Sequence, residues 1–348
     1  MSNERVAVLG TAMSDMSRRD LSPEQMSSQV IADVLDGAGV PSSELSCVLV
    51  ANACGWRLSD QGCIRGQSWL RKASLGDAPI VNVDNSCAGG VSALHLGLLA
   101  ARAQDRPVLV LGVEKMWTGD RQATLEAIEA GLPSDYRSDM RDRLSDNPDQ
   151  AGSILMAVNA AWAARFIEER GGTLEQFAAV SVKARTNGAL NPLAQCQRLV
   201  TAEEVLGSPR IAGVLTRLMC SSFTDGAAAI LLSSSPRAST RPVAEVLGAL
   251  ARSGRGDLDY HDRLADAAKE AYESFGLGPS DFDLVELHDA TSPEELFCLE
   301  SIGMFEPGAA GPATLAGETA IGGRSITVNP SGGLLARGHP LGATGLTQ

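Results

Sequence analysis

One stretch of this chain echoes another. Residues 39–52, GVPSSELSCVLVAN, align without a gap to residues 276–289, GLGPSDFDLVELHD. Each stretch is preceded by an amphipathic helical pattern and runs into an apolar strand. Farther along, Ile80 to Gly90 is echoed by Ser325 to Gly333, a strand leading into a turn of small residues. Identity within each pair is low, but the pairs fall in the same order. A duplicated α/β half accounts for that order better than chance does, and it narrows the fold to architectures built from two similar halves.

Between the echoes the chain reads as alternating strands and helices. Val6 to Leu9 is strand-like. Ser22-Pro23-Glu24-Gln25 is a helix start, with Ser22 as N-cap, Pro23 at the first helical position and Gln25 closing a capping box. Val30, Ile31, Val34 and Leu35 then share one face, and Gly37 to Gly39 end the helix. Strands are expected at Cys47 to Ala51 and Ile80 to Val83, and a helix at Val91 to Arg102. The continuous apolar run Val108 to Val113 suits a strand buried on both faces. From about residue 118 to 150, charge and polar breakers dominate, so this part reads as an insertion. A helical signal returns at Leu155 to Glu169, and the strand pattern at Ala228 to Leu232.

A net charge of −13 over 348 residues argues against a nucleic-acid partner, because phosphate binding needs a positive surface. No apolar stretch is long enough to cross a bilayer, and no targeting segment stands out after Met1. The seven cysteines are scattered, without CxxC pairs or zinc-ligand spacing. They read as reduced thiols of a cytoplasmic protein with no metal site.

Three segments carry chemistry. Cys87 lies after a strand and at the start of a helix, where unpaired N–H groups and the helix dipole stabilise a thiolate. The competing reading is a small hydrophobe packed at a strand end. His288 closes the run Asp283 to Leu287 and precedes Ser292-Pro293-Glu294-Glu295, read as a second capping box. It is therefore expected at the carboxyl end of a parallel strand, where open α/β sheets place ligands, unless it merely caps the next helix. His339 sits in Gly338-His339-Pro340-Leu341-Gly342-Ala343-Thr344-Gly345, a rigid loop able to hold an imidazole near a distant thiol. Asn329-Pro330-Ser331-Gly332-Gly333 reads as a tight turn lining the same site. Of the remaining histidines, His95 is expected inside a helix and His261 in a polar segment without a partner.

These residues resemble the thiolase superfamily, and most closely its lipid-transfer-protein (SCP2-type) branch. The resemblance is carried in order by VNVDNSCAGGVSAL around Cys87, GVEKM at 112–116, TDGAAAILL at 224–232, ELHDA at 286–290 and NPSGGLLARGHPLGATG at 329–345. It implies duplicated βαβαβαββ halves in a five-layered αβαβα arrangement with an inserted loop domain. The expected division is 1–118 with 219–238 for the N-terminal half, 119–218 for the insertion and 239–348 for the C-terminal half. The resemblance also implies that Cys87 takes the acyl group, that His339 activates it, and that His288 holds the thioester oxygen. Departures are Gly89 where a serine is usual, Thr291 where an aromatic is common, and no counterpart of the second-cysteine Cys-x-Gly loop. The C-terminal half is accordingly expected to be incomplete, its end truncated.

The implied function is an acyl-CoA C-acyltransferase acting on a 3-oxoacyl-CoA, with coenzyme A as cosubstrate and no bound cofactor. Gly333 and Gly338 are candidates to line the CoA site. Arg137 and Arg141, with Arg143, are candidates for its phosphates, weighed against a solvated charged loop. The resemblance implies a homodimer. One alternative is a retro-aldolase on a 3-hydroxyacyl-CoA working with a small OB-fold/zinc-ribbon subunit. Another is a non-catalytic acyl-CoA-binding subunit.

Overall fold

The computed structural model describes residues 5–145, 153–235, 242–254 and 259–348. Strands are numbered along the chain: β1 Val6–Met13, β2 Cys47–Ala51, β3 Ile80–Val83, β4 Val108–Glu114, β5 Arg210–Ala212, β6 Leu215–Thr216, β7 Gly226–Ser233, β8 Ala244–Val246, β9 Leu284–Val285 and β10 Thr327–Val328. The chain divides into two compact units. The first comprises residues 1–128, 223–251 and 340–348, the second 129–222 and 252–339.

The first unit is built on a six-stranded mixed sheet in the order β3-β2-β4-β7-β1-β8. β2 lies parallel to both β3 and β4, whereas β7 runs antiparallel to β4 and β1. The period-2 alternation of side chains sorts the apolar residues onto its two faces. Val48, Val50, Leu109, Leu111 and Leu231 pack with Val30, Ile31 and Val34 of the helix Pro23–Ala38. Leu49, Val108, Val110 and Leu232 pack with Ala93, Leu98 and Ala101 of the helix Gly89–Ala103. Covered on both faces, β4 is buried along its whole length, as its unbroken apolar run requires.

The helix Pro23–Ala38 follows its sequence signals. Ser22 Oγ accepts the Gln25 N–H at 3.3 Å, Gln25 Oε1 accepts the Ser22 N–H at 2.9 Å, and Gly39 adopts a left-handed cap at φ 64°. A short 3₁₀ turn, Ser42–Glu44, then leads to β2.

In the second unit the helices Ile154–Arg170, Leu174–Leu190 and Ser292–Ser301 share a core that includes Phe166, Phe177, Leu296 and Phe297. The echo seen in the sequence is realised element by element. The helix Tyr260–Phe275 ends on left-handed Gly276 at φ 66°, and the 3₁₀ turn Pro279–Asp281 leads to β9. β9 pairs in parallel with β10, as β2 does with β3.

Three local expectations need correction. The strand expected over 283–287 is only Leu284–Val285, because the Leu287 N–H leaves the ladder to donate to Asn329 Oδ1 at 2.7 Å. The next helix is capped by Thr291 without a side-chain cap bond, so Ser292 closes no capping box. Its hydroxyl lies 2.7 Å from that of Ser181. His261 is neither exposed nor unpartnered. It is 2% exposed, stacks on Phe297 at 3.7 Å between ring centres, and bonds with Arg165 and Asp259.

Candidate functional site

Cys87 belongs to the first unit. It sits in the 3₁₀ turn Ser86–Ala88 between β3 and the helix Gly89–Ala103, as its sequence setting foretold. Ser86, immediately before it, takes a left-handed φ of 46°. That sharp turn sets the half-buried thiol against Cys54, Met116 and Leu341. Burial raises the thiols of Cys47, Cys54 and Cys298 and pushes that of Cys220 up to about 12, which keeps these four protonated and inert.

Beneath this turn lies a residue that sequence reasoning missed. Glu114 ends β4 and is fully buried. Its Oε1 accepts from Asn52 Nδ2 at 2.9 Å and from the Cys54 N–H at 3.0 Å. Its Oε2 accepts from the Ala53 N–H at 2.8 Å and the Gly342 N–H at 2.9 Å. Desolvation raises its carboxyl above the ordinary range, and these bonds oppose that rise. One side chain thereby ties the loop after β2 to the turn Leu341–Ala343. The backbone of that turn lies against Gly89 and Gly90, at the head of the Cys87 helix. The only sequence signal was a lone acid closing an apolar strand.

His288 and His339 belong to the second unit, and the structure brings them together. Their rings meet edge to face with centres 5.0 Å apart. Buried polar groups fix the loops that hold them. Asn329 accepts from the Leu287 N–H at 2.7 Å and donates to Glu295 Oε2 at 2.9 Å, while Lys183 reaches Glu295 Oε1 at 2.6 Å. Glu286 accepts from Ser331 N–H and Oγ at 2.9 and 2.8 Å and from Arg337 Nη1 at 3.3 Å. Asp289 Oδ1 accepts the Leu334 N–H at 2.7 Å. Burial first, then the charge of Glu295, raises the Asp289 carboxyl well above the usual range.

Gly333 has φ 57°, and a Cβ there would fall 2.3 Å from Asp289 Oδ2, so no other residue fits. Gly338, at φ 119°, donates its N–H to the Gly333 carbonyl at 3.3 Å. His339 ends the second unit's share of this loop, and Pro340 resumes the first unit.

The basic candidates lie on the helix Ser134–Ser145 of the second unit. Arg141 pairs with Glu129 at 3.1 Å and Arg143 with Asp139 at 3.0 Å, whereas Arg137 is half-buried. No helix among the described residues is long and apolar enough to cross a membrane.

Residues 6–236 match the family model of the thiolase N-terminal domain, and residues 247–348 that of the thiolase C-terminal domain-like family. An acetyl-CoA acetyltransferase of Methanothermobacter thermautotrophicus is 35% identical over 99% of this chain and 88% of its own length. Sterol carrier protein 2 of Bos taurus is 31% identical over 99% of this chain, which spans 65% of that protein. A solved Ltp2-ChsH2(DUF35) aldolase superposes with a TM-score of 0.76 at 22% identity, covering 99% of this chain and 88% of that one. Its low identity speaks to the fold alone, and the fold is that of the thiolases. By both family models and its curated relatives, the chain belongs to the thiolase superfamily, in the branch of sterol carrier protein 2.

Proposed function

We propose that this protein is an acyl-CoA C-acyltransferase that cleaves or forms the C–C bond of a 3-oxoacyl-CoA through an acyl-cysteine on Cys87. The observation that carries the reading is the pairing of the His288 and His339 imidazoles, which come from segments far apart in sequence. In the cleavage direction His339 takes the Cys87 proton and the thiolate attacks the 3-oxo carbon. The bond between C2 and C3 breaks, and its electrons form the enolate of the departing acyl-CoA. A donor from His288 stabilises the enolate oxygen, and a proton returned to C2 completes that product. The thiol of coenzyme A then displaces the acyl group from Cys87. Splitting one difficult step in two is the gain of covalent catalysis, and each oriented donor contributes about 3–4 kcal/mol.

Coenzyme A enters as cosubstrate, in keeping with the acetyl-CoA acetyltransferase relative. Gly333 and Gly338 would line its site and Arg137 and Arg141 would meet its phosphates. Arg137 is the better of the two, since Arg141 already holds Glu129. A cytoplasmic homodimer completes the proposal. Its support is β3 at one edge of the sheet, with Val81 exposed there and Val91, Leu96 and Leu99 exposed on the helix that follows.

Intact-protein mass spectrometry after mixing with acetyl-CoA tests the reading, with Cys87→Ala as control. An acyl adduct is expected on the parent chain and none on the variant. A second reading, retro-aldol cleavage of a 3-hydroxyacyl-CoA with an OB-fold/zinc-ribbon subunit, draws on the fold shared with the Ltp2-ChsH2(DUF35) aldolase. That chemistry needs no acyl-cysteine. Cleavage that survives Cys87→Ala, with no adduct on the parent, would replace the first reading by the second.

A further inference from the structure

The helix after His288 opens with two adjacent buried glutamates that face different things. Glu295 is held by Lys183 and Asn329. Glu294, 4% exposed, sets its Oε1 3.4 Å from His288 Nδ1. Its Oε2 is out of reach of solvent and has no hydrogen-bond partner among the described residues. Buried carboxylate oxygens are normally satisfied, so one that is not points to a task other than holding the fold. Lys183 of the neighbouring helix is taken by Glu295. The His288 ring also meets that of His339 edge to face.

We infer that Glu294 is the positioning residue for His288. A carboxylate facing Nδ1 requires a proton on that nitrogen, because a bare Nδ1 would set a lone pair against a negative oxygen. The hydrogen bond made by one ring nitrogen fixes the state of the other. Nε2 is thus the nitrogen offered to the substrate. When it donates to the enolate oxygen it does so from an imidazolium, as a charge-assisted bond, and when neutral it accepts a proton. Glu294 thereby makes His288 a group able to give and recover a proton at one atom while its ring stays in place. This deepens the role given to His288 above and rests on that reading.

The chain has only four histidines, so nitrogen NMR of histidine-labelled protein can identify each ring by single substitution. In the parent, Nδ1 of His288 is expected to stay protonated at alkaline pH, and in Glu294→Leu the proton moves to Nε2. Glu294→Gln, whose amide oxygen still accepts, keeps it on Nδ1. Cleavage of a 3-oxoacyl-CoA by coenzyme A is expected to slow on the order of tenfold to a hundredfold in Glu294→Leu, and less in Glu294→Gln. In a His288→Ala background the Leu substitution should cost nothing further, which a purely structural role would not produce. An Nε2-protonated His288 in the parent would overturn the inference. So would equal losses from Glu294→Leu with and without His288. Absence of acylation even in the parent would count against the acyl-cysteine reading alone, since the ring state is read independently.

Discussion

The helix–turn–strand pattern occurs twice, and its two copies differ in what they carry. Pro23–Ala38 and Tyr260–Phe275 are both sixteen residues long, and each ends on a left-handed glycine followed by a 3₁₀ turn and a parallel strand. On the first helix the inner face is Val30, Ile31, Val34 and Leu35, all buried. At the matching positions the second has Ala267, Ala268, Ala271 and Tyr272, only partly buried. Ala51 ends the strand of the first copy and Asn52 follows it, with Glu114 accepting from the Asn52 amide and the Ala53 N–H. The second copy has His288 and Asp289 in those places, among carboxylates and cations. Capping and turn residues set the same backbone course in both. Large side chains then commit one copy to packing, while the strand end of the other carries titratable side chains.

The sharpest way to break this contrast is Glu114→Ala. It leaves three backbone N–H groups and the Asn52 amide without their acceptor, at about 1–3 kcal/mol each. A loss of about 4 kcal/mol or more is expected in denaturant unfolding. A loss under about 1 kcal/mol would show that water replaces the carboxylate. Ile31→Ala should cost about 3 kcal/mol through the cavity it leaves, as for other large-to-small core changes. Its counterpart in the second copy, Ala268→Gly, removes no large side chain and should cost about 1 kcal/mol or less, mainly in helix propensity. If the two cost the same, the contrast in packing has no energetic meaning.

Between these lies a pH effect. The folded state raises the Asp289 carboxyl above its unfolded value of roughly 3.9, so the fold binds that proton more tightly than the open chain does. The resulting stability is complete below the unfolded value and is lost as pH rises through the folded one. Asp289→Asn removes the titration and keeps an acceptor for the Leu334 N–H. The variant should therefore gain on the parent as pH climbs through that window, as read from urea midpoints. A gap that does not change with pH would sink the argument.

Much of the framework was legible because its signals are local. The capping box and Gly39 bounded the first helix, and VLVLGV marked the central strand. Cys87, His288 and His339 stood out by their settings. What escaped is long-range. Glu286 leaves the expected strand for Ser331 and Arg337, 45 and 51 positions on in sequence, and no periodicity registers such a bond. His261 looked solvated because its flanking residues are polar, yet Phe297 and Arg165 come to it from other helices. Glu114 read as the end of a strand, since the backbone donors it serves have no side-chain signature.

Neither unit is a continuous piece of chain, and this bears on how the protein is made. The first unit needs residues 340–348, which supply Leu341 to the cluster around Cys87 and Leu346 to the face beneath the helix Gly89–Ala103. While the ribosome is still translating the second unit, the first sheet already has both covering helices but lacks Leu346 beneath one of them and Leu341 beside Cys87. Such partly covered intermediates are the ones that aggregate or call on chaperones. The loop bearing His339 thus has a part to play before any substrate arrives, because its emergence lets the first half close.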